Sequence, residues 1–246
     1  MATNGKYGTK IPGGYFDESF DSSLGRLRHC YRDESGMIVP SLTQILSMLR
    51  FTDLSAAPPD RVIYKQKVGT AVHAATEYLD SPDHGDLDWD SVQPEIFGYI
   101  QAYENAVAEL GLQSQKVEHA SITEVNGMKF GCRLDRVGTF GKNGIPRMPI
   151  IWEIKTAYAP SFAWHLQTAA QSLTVPKPKG VKEWYRIAIS LRPDGSFLID
   201  KHDDPKEINW FRCALTMVHL LLREKHRLPE IPEIVDEAEI EMPVLA

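Results

Sequence analysis

The sequence has few cysteines and no long apolar segment. Its three cysteines, Cys30, Cys132 and Cys213, are far apart, and no C-x-x-C pair occurs among the 246 residues. Zinc fingers and iron–sulfur clusters are therefore poorly supported, and a reduced, intracellular setting is the simplest interpretation. No uninterrupted apolar run approaches the roughly 20 residues that a membrane-spanning helix needs, so we expect no membrane segment.

The chain also lacks a recognisable targeting signal, and outside its last residues it carries no strong net charge. Its first residues have neither the apolar core of a signal peptide nor an Arg-rich transit pattern, so we expect a cytoplasmic protein. The net charge is −6, and residues 229–246 hold six acidic residues without any Lys or Arg, which leaves 27 acidic and 27 basic residues elsewhere. A neutral body with an acidic tail does not exclude a nucleic-acid partner that binds a local basic groove.

Composition and turn-forming residues divide the chain into three regions. We interpret residues 1–38 as a flexible leader, residues 39–228 as one folded domain and residues 229–246 as an acidic tail. Such a tail is solvated by default, and the alternatives are that it docks a protein partner or that it mimics the charge of DNA and occupies the groove.

Hydrophobic periodicity predicts five helices and five strands within the domain. The helices are expected at about 41–49, 61–80, 94–110, 160–174 and 205–226, and the strands at about 115–125, 128–140, 149–156, 184–191 and 196–200. Asn126-Gly127 between the first two strands is typical of a two-residue hairpin turn. The order predicts a mixed α/β (α+β) fold, a single domain with a central mixed sheet flanked by helices.

Three charged residues lie at the ends of adjacent predicted strands. Glu153 and Lys155 are two apart in an apolar strand and therefore point to the same face. Burying them is costly without a compensating charge, and a divalent metal shared with Asp135 would supply one. The alternative is a Glu–Lys pair on an exposed face, because short motifs recur by chance.

Polar residues on two predicted helices extend this pattern. His73 follows Gly69 in mid-helix and is either a metal ligand or a core histidine. Gln167 and Gln171 are four apart and share a helix face, where they hydrogen-bond DNA, orient Lys155 or simply face solvent.

Arranged in order, the sequence carries four short motifs, Gly69-x-x-x-His73, Gly131-x-x-x-Asp135, Glu153-x-Lys155 and Gln167-x-x-x-Gln171. Together they resemble the RecB-type branch of the PD-(D/E)XK nuclease superfamily. Residues 39–46, Val-Pro-Ser-Leu-Thr-Gln-Ile-Leu, resemble an opening segment of the phage exonucleases and mitochondrial genome maintenance exonucleases of this branch. Gln171 stands where the family usually has tyrosine.

The resemblance implies a restriction-endonuclease-like αβββαβ core and metal-dependent hydrolysis of DNA phosphodiester bonds. It makes Asp135 and Glu153 ligands of Mg²⁺ or Mn²⁺, joined by the Ile154 carbonyl and by His73. Lys155 would position the attacking water. Gln167 would be the glutamine of the fourth motif, and no iron–sulfur cluster is expected.

We expect the substrate to be DNA ends or single strands in a bacterial or phage-infected cell. The predicted DNA contacts are residues near the motifs that carry a basic, an aromatic or an amide side chain. They are Arg61, Lys65, Lys67, Tyr158 and Gln171. Two alternatives remain open: a non-catalytic nucleic-acid-binding module that reuses the fold, and a structure-specific endonuclease.

Overall fold

The computed structural model describes residues 4–5, 8–21, 26–52, 57–81, 87–142 and 146–228. The helices are α1 (Leu42–Met48), α2 (Pro59–Asp80), α3 (Phe97–Leu110), α4 (Phe162–Gln171) and α5 (Lys206–Arg223). The strands are β1 (Asn4–Gly5), β2 (Gly8–Ile11), β3 (Gly14–Asp21), β4 (Arg26–Asp33), β5 (Ile38–Val39), β6 (Gln113–Val125), β7 (Met128–Phe140), β8 (Met148–Lys155), β9 (Tyr185–Leu191) and β10 (Phe197–Lys201). The predicted elements of 39–228 are present, with bounds shifted by at most a few residues.

The central sheet has five strands in the order β10-β9-β8-β7-β6. Neighbouring strands are antiparallel except β8 and β9, which are parallel and joined by α4. The run from α3 to β9 therefore has the expected αβββαβ order, in which α4 is the crossover connection that a parallel pair requires. The predicted mixed α/β fold with a mixed sheet flanked by helices is confirmed.

Local chemistry explains two junctions, the β6–β7 turn and the start of α1. Asn126 and Gly127, between β6 and β7, both have positive φ, 52° and 75°, as a turn matching strand twist requires. Ser41 begins α1 with a capping box, since its side chain accepts from the Gln44 N–H while the Gln44 side chain accepts from the Ser41 N–H. The predicted hairpin turn is confirmed.

Each face of the central sheet is covered by helices. On one face, α2 and α3 pack over Ile150, Trp152 and Ile154 of β8. On the other face, α1, α4 and α5 pack over Phe130 and Cys132 of β7. The alternation along β8 therefore places Glu153 and Lys155 on the face opposite Trp152 and Ile154, as predicted.

The N-terminal region differs from the prediction. The described part of residues 1–38, expected to be a flexible leader, forms strands β1 to β5 of an antiparallel sheet in sequential order. Its turn at Gly13 has a φ of +81°, and a Cβ there would lie 2.4 Å from the Ile122 carbonyl oxygen. The expectation is therefore wrong for this region, because a glycine turn that packs against β6 was interpreted as unstructured chain.

Two further expectations concern the periphery of the chain. Among the described helices, none is both long and apolar enough to cross a membrane. The acidic tail predicted at 229–246 lies outside the described residues.

The N-terminal sheet is joined to the central sheet by a buried carboxylate. Asp33 Oδ1 accepts from the Ser35 and Met37 N–H groups at 3.0 and 3.1 Å, and Oδ2 accepts from Lys129 Nζ at 2.9 Å. Hydrogen bonds from Ser35 and Lys129 lower the pKa of Asp33 to about 2. The folded protein therefore favours the ionised carboxylate.

Replacing Asp33 with asparagine should reduce stability in a pH-dependent way. Because the folded pKa lies below the ordinary value, the contribution of the ionised group is present above about pH 4 and is lost as the pH falls toward 2. We expect Asp33→Asn to lower the free energy of unfolding by about 1.5–3 kcal/mol at pH 6 and by less at pH 3. Urea unfolding of the variant and of the exposed control Glu34→Gln measures this. An equal loss at both pH values would contradict it.

Candidate active site

The candidate site lies where strands β7 and β8 separate. Their antiparallel ladder runs from the Phe140–Met148 pair to the Arg136–Trp152 pair. Beyond the Arg136–Trp152 pair, at a point that we call the β7–β8 fork, the Asp135 side chain takes the place of a backbone hydrogen-bond partner. Asp135 Oδ2 accepts a hydrogen bond from the Ile154 N–H at 2.8 Å. Asp135 is therefore held with its carboxylate in the gap between the strands.

His73 of α2 closes one side of the fork. Its Nε2 lies 3.1 Å from the Ile154 carbonyl oxygen, and its Nδ1 lies 3.6 Å from Asp135 Oδ2. Burial lowers the pKa of His73, but the charges of Asp135 and Glu118 outweigh it and raise the pKa to about 9. The imidazole side chain is 31% exposed, so solvent and ions reach it.

The helix face that carries His73 follows the predicted spacing. Gly69, one turn earlier, faces the end of β8, since a Cβ there would lie 3.5 Å from Thr156 Oγ1. Lys65 is exposed a further turn toward the start of α2. Residues 65, 69 and 73 recur every four positions and therefore share one face, which places a basic side chain in line with the fork.

Glu118 is part of the cluster, although the sequence indicated no role for it. Its Oε1 lies 3.7 Å from His73 Nδ1, and ligand atoms of His73, Glu118 and Asp135 all lie within 4.8 Å of one another. Glu118 also pairs with Arg133 and Arg136 at 3.0 and 3.1 Å. Its φ of +45° is unusual for a non-glycine residue and marks local strain.

Glu153 and Lys155 form a second group beside this cluster. Lys155 Nζ donates to Glu153 Oε1 at 2.8 Å and to Gln167 Oε1 at 2.9 Å. Gln167 Nε2 also donates to Glu153, and Gln171 Nε2 donates to Glu153 Oε2. Burial raises the pKa of Glu153, and the charge of Asp135 adds to this while Lys155 opposes it.

The structure therefore brings the predicted motif residues together, with two differences. Glu153 is not part of the group formed by His73, Glu118 and Asp135, because its carboxylate is engaged by Lys155, Gln167 and Gln171. Gln171 was predicted to contact DNA, yet it is fully buried and binds Glu153. The prediction for Gln171 is wrong because both sides of α4 are covered, one by the sheet and the other by α5.

The other predicted DNA contacts lie on the surface. Arg61 and Lys65 are exposed on α2, and Lys67 is partly exposed. Tyr158 follows β8 and is 65% exposed, with the Arg192 guanidinium 4.8 Å from its ring centroid. These side chains are available to a ligand that approaches the fork.

Beneath the cluster lies a buried arginine, Arg136. Arg136 is 0% exposed and pairs with Asp80 of α2 at 2.5 Å and with Glu118 at 3.1 Å. Tyr103 of α3 donates to the same Asp80 carboxylate. Burial lowers the pKa of Arg136, but the neighbouring Tyr103, Asp80 and Asp135 outweigh it and raise the pKa. Arg136 thus balances charge behind Glu118, and nothing in its sequence context signals this.

The donor set suits a hard divalent cation. Asp135 supplies carboxylate oxygens, Ile154 a carbonyl oxygen and His73 an imidazole nitrogen, while Glu118 and Glu153 lie close by. Magnesium prefers oxygen ligands, needs only one or two carboxylates and completes its coordination with water and substrate phosphate. His73 would exchange its hydrogen bond to Ile154 for a ligand bond. Lys155 lies beside this set with its ammonium fixed in position.

No family model matches the sequence, and no curated protein matches it. Fifteen chains of solved structures match. One of them, described as the crystal structure of SSO0001, aligns with a TM-score of 0.35 and 16% identity over 74% of this chain and 76% of that chain. Similarity at this level carries no argument about function.

Proposed function

We propose that this protein is a metal-dependent deoxyribonuclease of the PD-(D/E)XK superfamily, RecB-type branch. The observation that carries the proposal is the convergence of Asp135, the Ile154 carbonyl and His73 at the β7–β8 fork, beside an ammonium group on Lys155. The motif order in the sequence supports the same function. Its setting would be the cytoplasm of a bacterial or phage-infected cell.

In this proposal, the residues of the fork would bind Mg²⁺ or Mn²⁺. Asp135, His73 and Ile154 would hold the ion, with Glu153 completing the set after releasing one of its amide partners. When bound, the ion would polarise the scissile phosphate and lower the pKa of a coordinated water. Glu118 is less suited as a ligand because Arg133 and Arg136 already neutralise it.

Lys155 would act on the attacking water and on the developing phosphate charge. Its Nζ donates to Glu153 and to Gln167, so two of its three protons are engaged and the third remains for a water or a phosphate oxygen. A fixed point charge of this kind stabilises negative charge that develops in the transition state. Gln167 is a positioning residue, because it holds both Lys155 and Glu153.

DNA would approach along the exposed face of α2 and the loop after β8. Arg61, Lys65 and Lys67 would contact phosphates, and Tyr158 would stack on an unpaired base. We propose exonuclease action on ends or single strands, because a base that stacks on Tyr158 must be unpaired.

Digestion of matched linear and covalently closed circular DNA tests this function. With Mg²⁺ or Mn²⁺ we expect loss of the linear substrate, survival of the circle and complete inhibition by a chelator. The products should carry 5′-phosphates. Cleavage of circles would favour the endonuclease alternative. DNA binding without chelator-sensitive turnover would favour the non-catalytic module.

A further inference from the structure

A second group of histidine and carboxylate side chains lies on the opposite side of α4 from Gln167. It consists of His165 on α4, Asp200 on β10 and His202 directly after β10. Nε2 of His165 lies 3.4 Å from Asp200 Oδ2, and Nε2 of His202 lies 3.2 Å from the same oxygen. His165 and Gln167 differ by about 200° around the helix axis, so this group is separate from the fork.

The outer nitrogen of each imidazole is held by another side chain. His165 Nδ1 lies 2.6 Å from Glu207 Oε1, and His202 Nδ1 lies 2.7 Å from Thr168 Oγ1. Thr168 donates its hydroxyl proton to the His165 carbonyl, so it accepts from His202 Nδ1–H. The Glu207 carboxylate accepts from His165 Nδ1–H.

These outer bonds determine what faces Asp200. Nε2 of each ring faces the same Asp200 oxygen, and a ring whose Nδ1 carries the proton has Nε2 left to bind a metal. Second-sphere carboxylates and hydroxyls orient metal-binding histidines in this way.

The separations between each imidazole nitrogen and the Asp200 oxygen match a tetrahedral metal centre. With bonds of about 2.0–2.1 Å, neighbouring ligand atoms around Zn²⁺ lie about 3.3 Å apart, and the two measured separations are 3.2 and 3.4 Å. Two imidazoles and one carboxylate are also a ligand set that Zn²⁺ accepts.

The charges leave Asp200 available to a cation. Glu207 Oε2 is already paired with Arg186 at 2.9 Å. Within the described part of the chain, Asp200 pairs with no lysine or arginine. His202 is buried, whereas the side chains of His165 and Asp200 are 25% and 20% exposed. An ion therefore has access from solvent, and its charge would offset that of Asp200.

We propose that His165, Asp200 and His202 bind one Zn²⁺ ion, with water as the fourth ligand. Glu207 and Thr168 orient the two imidazoles. The ion joins α4 to the end of the edge strand β10, on the side of α4 opposite Gln167 and its contact with Lys155. This site is independent of the proposed nuclease centre, and its role is to fasten the helix that carries Gln167.

Zn²⁺ titration of the chelator-stripped full chain tests the site without DNA. The Asp135→Asn background removes competition from the fork. We expect one Zn²⁺ per chain in competition with a chromophoric chelator, a higher melting temperature with Zn²⁺, and the intense visible absorption of tetrahedral Co²⁺ after Co²⁺ substitution. His165→Gln and Asp200→Asn should abolish all three signals. Both positions are partly exposed, so these variants should fold, which circular dichroism checks.

A variant outside the ligand set separates metal binding from simple packing. Thr168→Val keeps the shape and the three ligands but removes the acceptor for His202 Nδ1, so Zn²⁺ affinity should fall about 10- to 100-fold. The controls His226→Gln and Cys213→Ser remove an exposed imidazole and an exposed thiol and should change nothing. The proposal is overturned if Zn²⁺ binding is absent, or if His165→Gln and Asp200→Asn bind as tightly as the parent. In either case the group is a hydrogen-bonded histidine–aspartate cluster.

Discussion

Replacing Lys155 with methionine should lower the rate of metal-dependent DNA cleavage by about 10²–10³-fold, the usual cost of losing one fixed donor to a transition state. Methionine keeps most of the length of the side chain and removes the ammonium. Since Lys155 is not a proposed metal ligand, the Mn²⁺ concentration for half-maximal activity should change little. Gel-based cleavage rates over a range of Mn²⁺ concentrations measure both quantities.

Asp135→Asn should differ from Lys155→Met in its response to metal. Asparagine can still accept the Ile154 N–H through its side-chain oxygen, so the β7–β8 fork should keep its shape. The lost charge weakens metal binding, and the half-maximal Mn²⁺ concentration should rise along with the loss of rate. Lys201→Met, an exposed lysine on β10, is the matched control and should cleave normally. If both site variants cleave like the parent, the fork is not the active centre.

The central sheet could be predicted from the sequence because its signals are local. Asn126-Gly127 specifies a hairpin turn through backbone conformation alone, and strict alternation in β8 separates Glu153 and Lys155 from Trp152. These features depend on residues close in sequence. The motif order then placed Asp135 near Glu153 without knowledge of the strand ladder.

The parts that could not be predicted depend on contacts between distant residues. Glu118 enters the cluster through a backbone conformation with positive φ, which has no signature in a glutamate within a strand. Gln171 shares a helix face with Gln167, but whether that face meets solvent or the sheet depends on how α4 packs. The glycine turn of the N-terminal sheet is recognised only once Ile122 of β6 lies against it.

The largest effect on stability should come from Arg136, which the sequence places in an unremarkable Leu-Asp-Arg-Val context. Its guanidinium is fully buried between Asp80 and Glu118, and Thr76 Oγ1 accepts from its Nη2 at 3.3 Å. Arg136→Met would leave these carboxylates without their shared cation. Breaking a buried ion pair from one side costs about 3–5 kcal/mol, and we expect a loss of that size in urea unfolding.

A double variant distinguishes this cause from a simple packing defect. Asp80→Asn removes one of the unpaired charges, so combining it with Arg136→Met should cost clearly less than the sum of the two single variants. Arg212→Met, on the exposed face of α5, is the matched control and should lie within about 0.5 kcal/mol of the parent. Strict additivity would mean that the Arg136–Asp80 contact carries no coupling energy. Because Glu118 lies between Arg136 and His73, the same cation that stabilises the fold also keeps a carboxylate in place at the fork.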